Sequence, residues 1–398
     1  MHPSDEIRGV KGNILSNKKI VLGITGSIAS VECVRLSRDL VRYGAEVFPV
    51  MTSAATKIIH PDSLEFATGH KPILELTGET EHVSLCGMVK EPADLFLISP
   101  CTANTISKIA HGIDDTPVTT FATTAVGSGI PILIVPAMHL SMYNHKIVQG
   151  NIERCKKIGI KFVEPHIKGN KAKMADIGEI VARSIRETGK RDMVNKNVLV
   201  IGGATAEPFD DVRIISNRSS GKTAVWLADN AFVRGADVEF WYGCSREPVP
   251  DYISTVKFES VKDLMELLET KNLNKFDVII ICAAISDYIP KKREGKIPSG
   301  EKKLVLEMSP APKIIEKFRE KAPNSKIVGF KLEEKQDGLT DKAYELLKKN
   351  KLDFVVANTI SGLEGNKNKI WMIDKKGNST QKEGSKKIIA DYILDIAK

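Results

Sequence analysis

Short runs that are apolar on nearly every residue recur between helix-patterned stretches, and about halfway along the chain the series starts again. In the first series KIVLGIT (19–25), AEVFPVM (45–51), DLFLISP (94–100) and PILIVPA (131–137) are followed by a weaker KFVE (161–164). Strands apolar on both faces belong to a parallel sheet covered by helices on each side. The intervening patterns place helices over 29–43, 103–110 and from 147 to a stop at Gly159. After a further helix over 177–188, the charged stretch GKRDMVNKN reads as a linker. The second series then opens with KNVLVIGGAT (196–205), a helix over 222–234, ADVEFWY (236–242), a helix over 261–269 and DVIIICAA (277–284). KIVGFK (326–331), DFVVAN (353–358) and a hairpin over 370–383, with Lys376-Gly377-Asn378 at its turn, complete it. The expected fold is therefore α/β, with two open, mostly parallel, Rossmann-like three-layer domains, the second carrying an added hairpin. The expected boundaries are a flexible tail over 1–17, a first domain over 18–191 and a second over 192–398.

A chain of 398 residues exceeds one ordinary core, which agrees with two domains. The longest apolar run, 278–285, falls far short of the roughly 18 to 20 residues that cross a bilayer, so no membrane partner is expected. The first residues, MHPSDEIRGVKGN, lack an apolar core segment and read as a mobile tail of a cytoplasmic protein, not as a signal peptide. Six scattered cysteines with no CxxC pair and no nearby His at zinc spacing argue against disulfides and structural metal. The net charge of +8 comes from interspersed Lys and Glu without an aromatic-basic stripe. Phosphorylated small molecules, and not nucleic acid, are the expected partners.

In the first half, KIVLGIT runs into Gly23-Ile24-Thr25-Gly26-Ser27-Ile28-Ala29 and then a helix. Such a turn lets backbone N–H groups approach a phosphate at the helix N-terminus. Its GxxGxxA spacing is not that of dinucleotide folds, and a bare tight turn remains open. Met51-Thr52-Ser53-Ala54 and 99–105 (SPCTANT) end the next strands with further hydroxyls and amides, where an open parallel sheet meets its ligand. Gly26, Ser27, Ile28, Thr52, Ser99, Thr102 and Asn104 are the candidate cofactor-binding residues. With His82 in EHVSL, KIAHGIDD (108–115) and Pro136-Ala137-Met138-His139 followed by Met142-Tyr143, this half resembles the flavin-containing cysteine decarboxylases over most of 18–190, and among them the phosphopantothenoylcysteine decarboxylases. The resemblance implies a flavodoxin-like domain holding FMN, which oxidises the thiol end of the substrate, lets CO2 leave the resulting thioaldehyde and returns the electrons. It implies His82 as the group acting in decarboxylation. It puts His139 where the family has an Asn that binds the substrate carboxylate, a role an imidazole can also fill. The family's flap cysteine is absent from the matching KGNKAKMADIGEIV (168–181), which leaves Lys171 or Lys173 as a substitute proton donor, or a different final step. Cys155 is a poor substitute, and Cys101 reads as packing.

In the second half, Gly202-Gly203-Ala204-Thr205-Ala206-Glu207-Pro208 is separated from the next helix by an insert, which speaks against plain dinucleotide binding. Ser219-Ser220-Gly221-Lys222 lacks the earlier Gly of a P-loop and can be a helix N-cap, an anion site, or both. GGxTxEP followed by VRxISNxSSGK, with Ile281-Cys282-Ala283-Ala284-Ile285-Ser286-Asp287-Tyr288, Lys296-Ile297, 312–315, Val328-Gly329-Phe330 and Ala357-Asn358, resembles the phosphopantothenate-cysteine ligases over 196–398. The resemblance implies activation of 4′-phosphopantothenate by CTP, with Mg2+ or Mn2+, to an acyl-cytidylate that cysteine attacks. It makes Asn217 the holder of the acyl intermediate, Arg213 and Lys296 the phosphate-neutralising cations, and Asp287 the contact to nucleotide or metal. Ser219, Ser220, Gly221, Lys222, Ile281, Cys282, Ala283, Pro312, Lys313, Ile314, Ile315 and Phe330 follow as nucleotide or substrate contacts. Two positions depart from the pattern: KIPS replaces KIKK after Lys296, and Ala206 stands where the family has Arg. The loop over 290–300 is expected to be mobile.

Together the halves imply a bifunctional enzyme of coenzyme A biosynthesis in which the ligase product feeds the decarboxylase. The implied family places its flavin sites between the subunits of trimers and pairs its ligase domains, so a homo-oligomer, a dodecamer, is expected. Two rival readings are a flavoprotein fused to a nicotinamide-dependent reductase and a flavin-binding regulatory subunit.

Overall fold

The computed structural model describes residues 2–300, 303–362 and 365–398. Two compact units, Met1–Arg191 and Asp192–Lys398, divide the chain. In the first, β1 (Lys19–Ile24), β2 (Glu46–Met51), β3 (Leu95–Cys101), β4 (Ile132–Pro136) and β6 (Lys161–Phe162) form a parallel sheet in the order β2-β1-β3-β4-β6. Every residue of β3 and β4 is buried, as their unbroken apolar runs require. The order reverses between β1 and β3, so the carboxyl ends of these strands open the crevice where ligands of doubly wound sheets bind. A small antiparallel sheet joins β5 (Met138–His139) to a hairpin of β7 (His166–Lys168) and β8 (Lys171–Lys173).

The helices of this unit are α1 (Pro3–Ile7), α2 (Cys33–Arg42), α3 (Ser53–Thr56), α4 (Pro61–Thr68), α5 (Glu81–Cys86), α6 (Ala103–His111), α7 (Pro117–Ser128), α8 (Leu140–Tyr143), α9 (Lys146–Lys157) and α10 (Ile177–Thr188). The helix expected from residue 29 begins as a 3-10 turn over Ile28–Glu32, because Ser27 caps it two residues on and not three. Helix α7 has no obvious apolar stripe in sequence, being rich in threonine. A reciprocal Thr116–Thr119 capping box starts it, and Val118, Phe121, Ala122 and Ala125 pack it into the core.

The expected mobile tail is packed instead. The N–H groups of Gly9, Lys11 and Leu15 donate to the carbonyls of Val41, Arg42 and Tyr43 at 3.2, 2.9 and 2.9 Å, and the Arg8 guanidinium donates to the Ala45 carbonyl at 2.6 Å. The segment thus satisfies the otherwise open carbonyls at the end of α2, and it buries Leu15 completely. The expected linker is likewise tied down. Met193 is fully buried and Asp192 pairs with Arg234 through two bonds of 2.9 and 2.8 Å, so the charges that read as solvated are partnered.

In the second unit, β9 (Asn197–Gly202), β12 (Asp237–Tyr242), β13 (Ser254–Lys257), β14 (Val278–Ile281), β17 (Lys326–Glu333) and β18 (Phe354–Thr359) run parallel in the order β13-β12-β9-β14-β17-β18. The antiparallel hairpin β19 (Lys367–Asp374) and β20 (Ser379–Ser385) extends this sheet. Its turn is closed by the Asp374 carboxylate, which accepts the N–H groups of Lys376 and Asn378, with Gly377 at φ +83°. Two short pairs stand apart: β10 (Ala206–Pro208) with β11 (Ile214–Ser216), and β15 (Tyr288–Pro290) with β16 (Met308–Pro310). Helices α11 (Lys222–Val233) and α15 (Lys386–Ala397) cover one face, and α12 (Val261–Thr270), α13 (Ile314–Lys321) and α14 (Leu339–Lys349) the other. The reversal of strand order falls between β9 and β14, and this places the second crevice.

Candidate functional sites

At the first crevice, threonines stitch the strand ends together. Thr25 Oγ1 donates to the Pro100 carbonyl at 2.8 Å and accepts the Thr102 N–H at 3.0 Å, so the turn after β1 and the end of β3 form one rim. Ser27, Thr52 and Thr102 cap the 3-10 turn, α3 and α6 in turn, and Asn104 lies exposed in the first turn of α6. A methyl group on Gly26 would lie 2.5 Å from the Ala54 Cβ, so this turn is held close to α3. Ile28 beside it is 77% exposed, an apolar side chain presented where a planar ring could lie. Helix starts plus an exposed apolar side chain fit the phosphate and ring of a flavin. Ser99 stands apart from this rim: it is fully buried, with its hydroxyl on the Met174 sulfur at 3.4 Å.

His82 lies on α5, its ring edge-on to Phe121 of α7 at 6.4 Å. Its Nδ1 is buried without a hydrogen-bond partner among the described residues, a polar atom left open for something else. His139 is exposed on β5, directly across from Lys171 of β8. The thiols of this unit are packing groups. Cys101 is fully buried and desolvation drives its pKa well above the ordinary value, while burial lifts Cys86 to about 12 and Cys155 to about 11.

At the second crevice a cavity of about 610 Å³ gathers the turn residues Asn217, Ser219, Ser220, Gly221 and Lys222. Ile281, Cys282, Ala283 and Asp287 after β14, Pro312, Lys313, Ile314 and Ile315 at the start of α13, and Phe330 on β17 line it too. The turns are sewn to each other: Thr205 Oγ1 donates to Ser286 Oγ and accepts its N–H, both at 2.9 Å, and the Asn217 amide donates to the Ala284 carbonyl at 3.1 Å. Gly221 begins α11 at φ +74°, and any side chain there would run into the Tyr242 hydroxyl. The Ser219 and Ser220 hydroxyls accept the N–H groups of Gly221 and Lys222, both at 3.4 Å, and this first turn of α11 lines the cavity. Asp287 pairs with Lys313 at 2.8 Å.

Arg213 and Lys296 lie outside that lining. Asp210, which carried no sequence signal as a functional residue, connects them. Its carboxylate accepts the N–H groups of Val212, Arg213 and Ile297 and the Arg213 guanidinium. Burial alone would raise the Asp210 pKa, but these four bonds outweigh it and hold it at about 2. The loop expected to be mobile is tethered at the same place, with Lys292 paired to Asp211 at 2.7 Å and the Gly295 N–H on the Asp211 carboxylate at 2.8 Å. The lining also includes Lys331, Asn358, Asn368 and Lys386, which sequence patterns left unassigned as site residues.

The Flavoprotein family model matches residues 11–189, and the model of the DNA/pantothenate metabolism flavoprotein C-terminal domain matches residues 193–398. A coenzyme A biosynthesis bifunctional protein CoaBC of Thermococcus kodakarensis is 44% identical over 99% of this chain and 98% of its own length. The chain belongs to this family. Its counterpart in Methanocaldococcus jannaschii is 39% identical over 91% of this chain and 88% of that one. Among solved structures, the DNA/pantothenate metabolism flavoprotein of Streptococcus pneumoniae is 26% identical, covers 50% of this chain and 97% of its own, and superposes with a TM-score of 0.46. Membership makes the chain a flavoprotein and a bifunctional enzyme of coenzyme A biosynthesis, a decarboxylase and a ligase in one polypeptide. The rival of a flavoprotein fused to a nicotinamide-dependent reductase finds no support in these relatives. Among the described residues, no helix is long and apolar enough to cross a membrane.

Proposed function

We propose that the unit over 192–398 joins cysteine to 4′-phosphopantothenate at the expense of CTP, and that the unit over 18–191 then decarboxylates the product to 4′-phosphopantetheine. What supports the ligase half is the gathering, around one cavity, of nearly all the residues its motifs single out, drawn from four separate segments. The substrate carboxylate attacks the α-phosphorus of CTP and pyrophosphate leaves. The cysteine amine then attacks the acyl carbon and CMP leaves. Asn217 is fixed by its bond to the Ala284 carbonyl and turns its amide toward the acyl oxygen, a donor for the charge that develops there. Asp210 orients Arg213 and the loop residue Ile297 beside Lys296, so both cations meet phosphate without searching for a conformation. The described residues contain no cluster of three potential metal ligands. Asp287 alone fits a Mg2+ or Mn2+ that arrives on the nucleotide phosphates and keeps most of its water.

In the decarboxylase half, FMN would be held by Gly26, Ser27, Ile28, Thr52, Thr102 and Asn104, with Ser99 supporting the rim from beneath. When bound it supplies an electron-pair acceptor for the thiol end of the substrate and gives the pair back. His82 holds or accepts a proton through its open Nδ1, and His139 orients the substrate carboxylate. Lys171, the register partner of His139 in the β5–β8 pair, donates the final proton from Nζ, in place of a thiol. The chain assembles as a homo-oligomer, with a dodecamer as the proposed state. Incubating the purified chain with phosphopantothenate, cysteine, Mg2+ and each nucleotide, and reading products by mass, tests this scheme. CTP should give phosphopantetheine, and no cysteine adduct with any nucleotide would refute the ligase reading.

A further inference from the structure

The segment that joins Asn217 to α11 carries one side chain that the scheme above does not use. Arg218 fills the variable position of the string ISNRSSGK (215–222) and lines the ligase cavity. Its backbone is held on both sides. The Ser219 N–H donates to the Asn217 carbonyl at 3.0 Å, which closes a three-residue turn with Arg218 at the apex. Before the apex the Asn217 amide is bonded to the Ala284 carbonyl at 3.1 Å, and after it the Ser219 carbonyl accepts the Ser245 hydroxyl at 3.2 Å. The turn is thus tied at its two ends to two different loops, and the Arg218 side chain leaves it from a fixed backbone.

The other cations of the lining are engaged. The Lys222 ammonium donates to the Asn366 side chain at 2.6 Å, Lys313 pairs with Asp287 at 2.8 Å, and Lys331 pairs with Glu333 at 2.8 Å. Lys386 is nearly buried, at 3% exposure, with interactions of its own. Among the described residues the Arg218 guanidinium, alone of these five cations, makes no hydrogen bond, ion pair or ring contact. Asp287 is the one acidic residue among the described residues of the lining, and Lys313 already holds it. A planar fork of N–H donors with no protein partner suits a carboxylate, which it grips through two parallel hydrogen bonds.

Position selects which anion that is. Asn217 donates to the acyl oxygen, and consecutive Cα atoms are only about 3.8 Å apart. The amine that attacks the acyl carbon belongs to cysteine, whose carboxylate is borne on the same carbon as that amine. A cation one residue from the acyl-oxygen donor therefore meets this carboxylate while the amine is in place for attack. The phosphates of the other two substrates have Arg213 and Lys296 to meet them. We propose that Arg218 binds the carboxylate of the incoming cysteine, and so makes the ligase select an amino acid over a simple aminothiol. The proposal rests on the ligase reading and adds a specificity-determining residue to it.

Initial ligation rates in the full chain test this, with cysteine compared against cysteamine, which has the same amine and thiol but no carboxylate. Arg218→Met keeps the apolar stem and removes the fork. It should raise the KM for cysteine roughly ten- to hundredfold, the effect of losing a charge-assisted pair, with the KM values for CTP and phosphopantothenate within about a factor of three of wild type. The wild-type preference for cysteine over cysteamine in kcat/KM should shrink by the same factor, because cysteamine has nothing for Arg218 to hold. Arg218→Lys should recover part of the loss. An unchanged KM for cysteine or an unchanged preference overturns the proposal, and so does a rise confined to CTP or phosphopantothenate, which would place Arg218 on a phosphate.

Pyrophosphate release in the absence of cysteine reads the first half-reaction by itself. Arg218→Met should still give this burst, since cysteine is not yet needed, and a lost burst would overturn the proposal by making Arg218 part of the activation step. A wild-type chain that forms no cysteine adduct removes the ligase reading and this proposal with it. Adduct formed equally well by the wild type and by Arg218→Met at low cysteine removes the role of Arg218 alone.

Discussion

Replacing Asn217 by aspartate should stop ligation and leave decarboxylation untouched. The Asn217 amide nitrogen donates to the Ala284 carbonyl at 3.1 Å, and this bond fixes where its second N–H points. Aspartate has nearly the same shape but no donor, so its carboxylate oxygen would face the carbonyl oxygen at that distance and turn away. The acyl oxygen of the intermediate then loses its hydrogen bond and meets a negative charge. Loss of one such donor typically costs about 3–4 kcal/mol of transition-state stabilisation, roughly 10²- to 10³-fold in kcat. Stability should change by no more than about 0.5 kcal/mol, because Asn217 is exposed and its neighbours keep their own partners. The assay compares CTP-dependent adduct formation with CO2 release from supplied phosphopantothenoylcysteine in the same preparation. Ligation within a factor of three of wild type would refute the role given to Asn217. Equal loss of both activities would show a general defect.

Three further outcomes are expected. His82→Asn should lower CO2 release roughly 10²- to 10⁴-fold while flavin absorbance stays with the protein, since the ring acts on substrate protons; normal release would make His82 a bystander. Asp210→Asn should raise KM for phosphopantothenate by freeing Arg213, and should alter acid stability in a defined direction. The folded Asp210 carboxyl sits near 2, below its ordinary 3.8, so its contribution is complete above about pH 4 and disappears as pH falls through about 2. The variant should therefore lack that part of the wild type's acid-induced loss, as read by urea melts at each pH. Arg234→Met should destabilise the second unit by about 2–3 kcal/mol. It removes a nearly buried guanidinium from Asp192, Asp391 and Asp395, but these carboxylates are open enough to rehydrate. A melt within about 0.5 kcal/mol of wild type would contradict the network's importance.

Much of the architecture was legible because strands buried on both faces have an unmistakable composition. VIII of β14 and LFLISPC of β3 leave little choice but the middle of a parallel sheet. Helix α7 was not, because threonines that satisfy their own backbone hide its buried stripe. The tail and linker misled for a related reason: Arg8 and Asp192 look solvated in sequence, and only the fold supplies the Ala45 carbonyl and the Arg234 guanidinium that hold them. At the ligase cavity the turn residues were readable, since an insert between a glycine turn and its helix is unusual. Lys386 was not, because a Ser-Lys pair at a helix start is common, and its place beside Lys222 depends on a strand order that brings residues 222 and 386 together. Asp210 was equally silent. An aspartate before a turn carries no mark of the four hydrogen bonds it will collect.

The central claim is that one polypeptide makes a cysteine amide and then removes the carboxyl group that cysteine brought. Cysteine labelled with ¹³C at its carboxyl carbon tests this directly when supplied to the purified chain with phosphopantothenate, Mg2+ and CTP. Labelled CO2 should appear only when phosphopantothenate and CTP are both present, after a lag in which the labelled adduct forms and declines. Labelled CO2 that appears without CTP, or an adduct that accumulates with no release, would contradict the account.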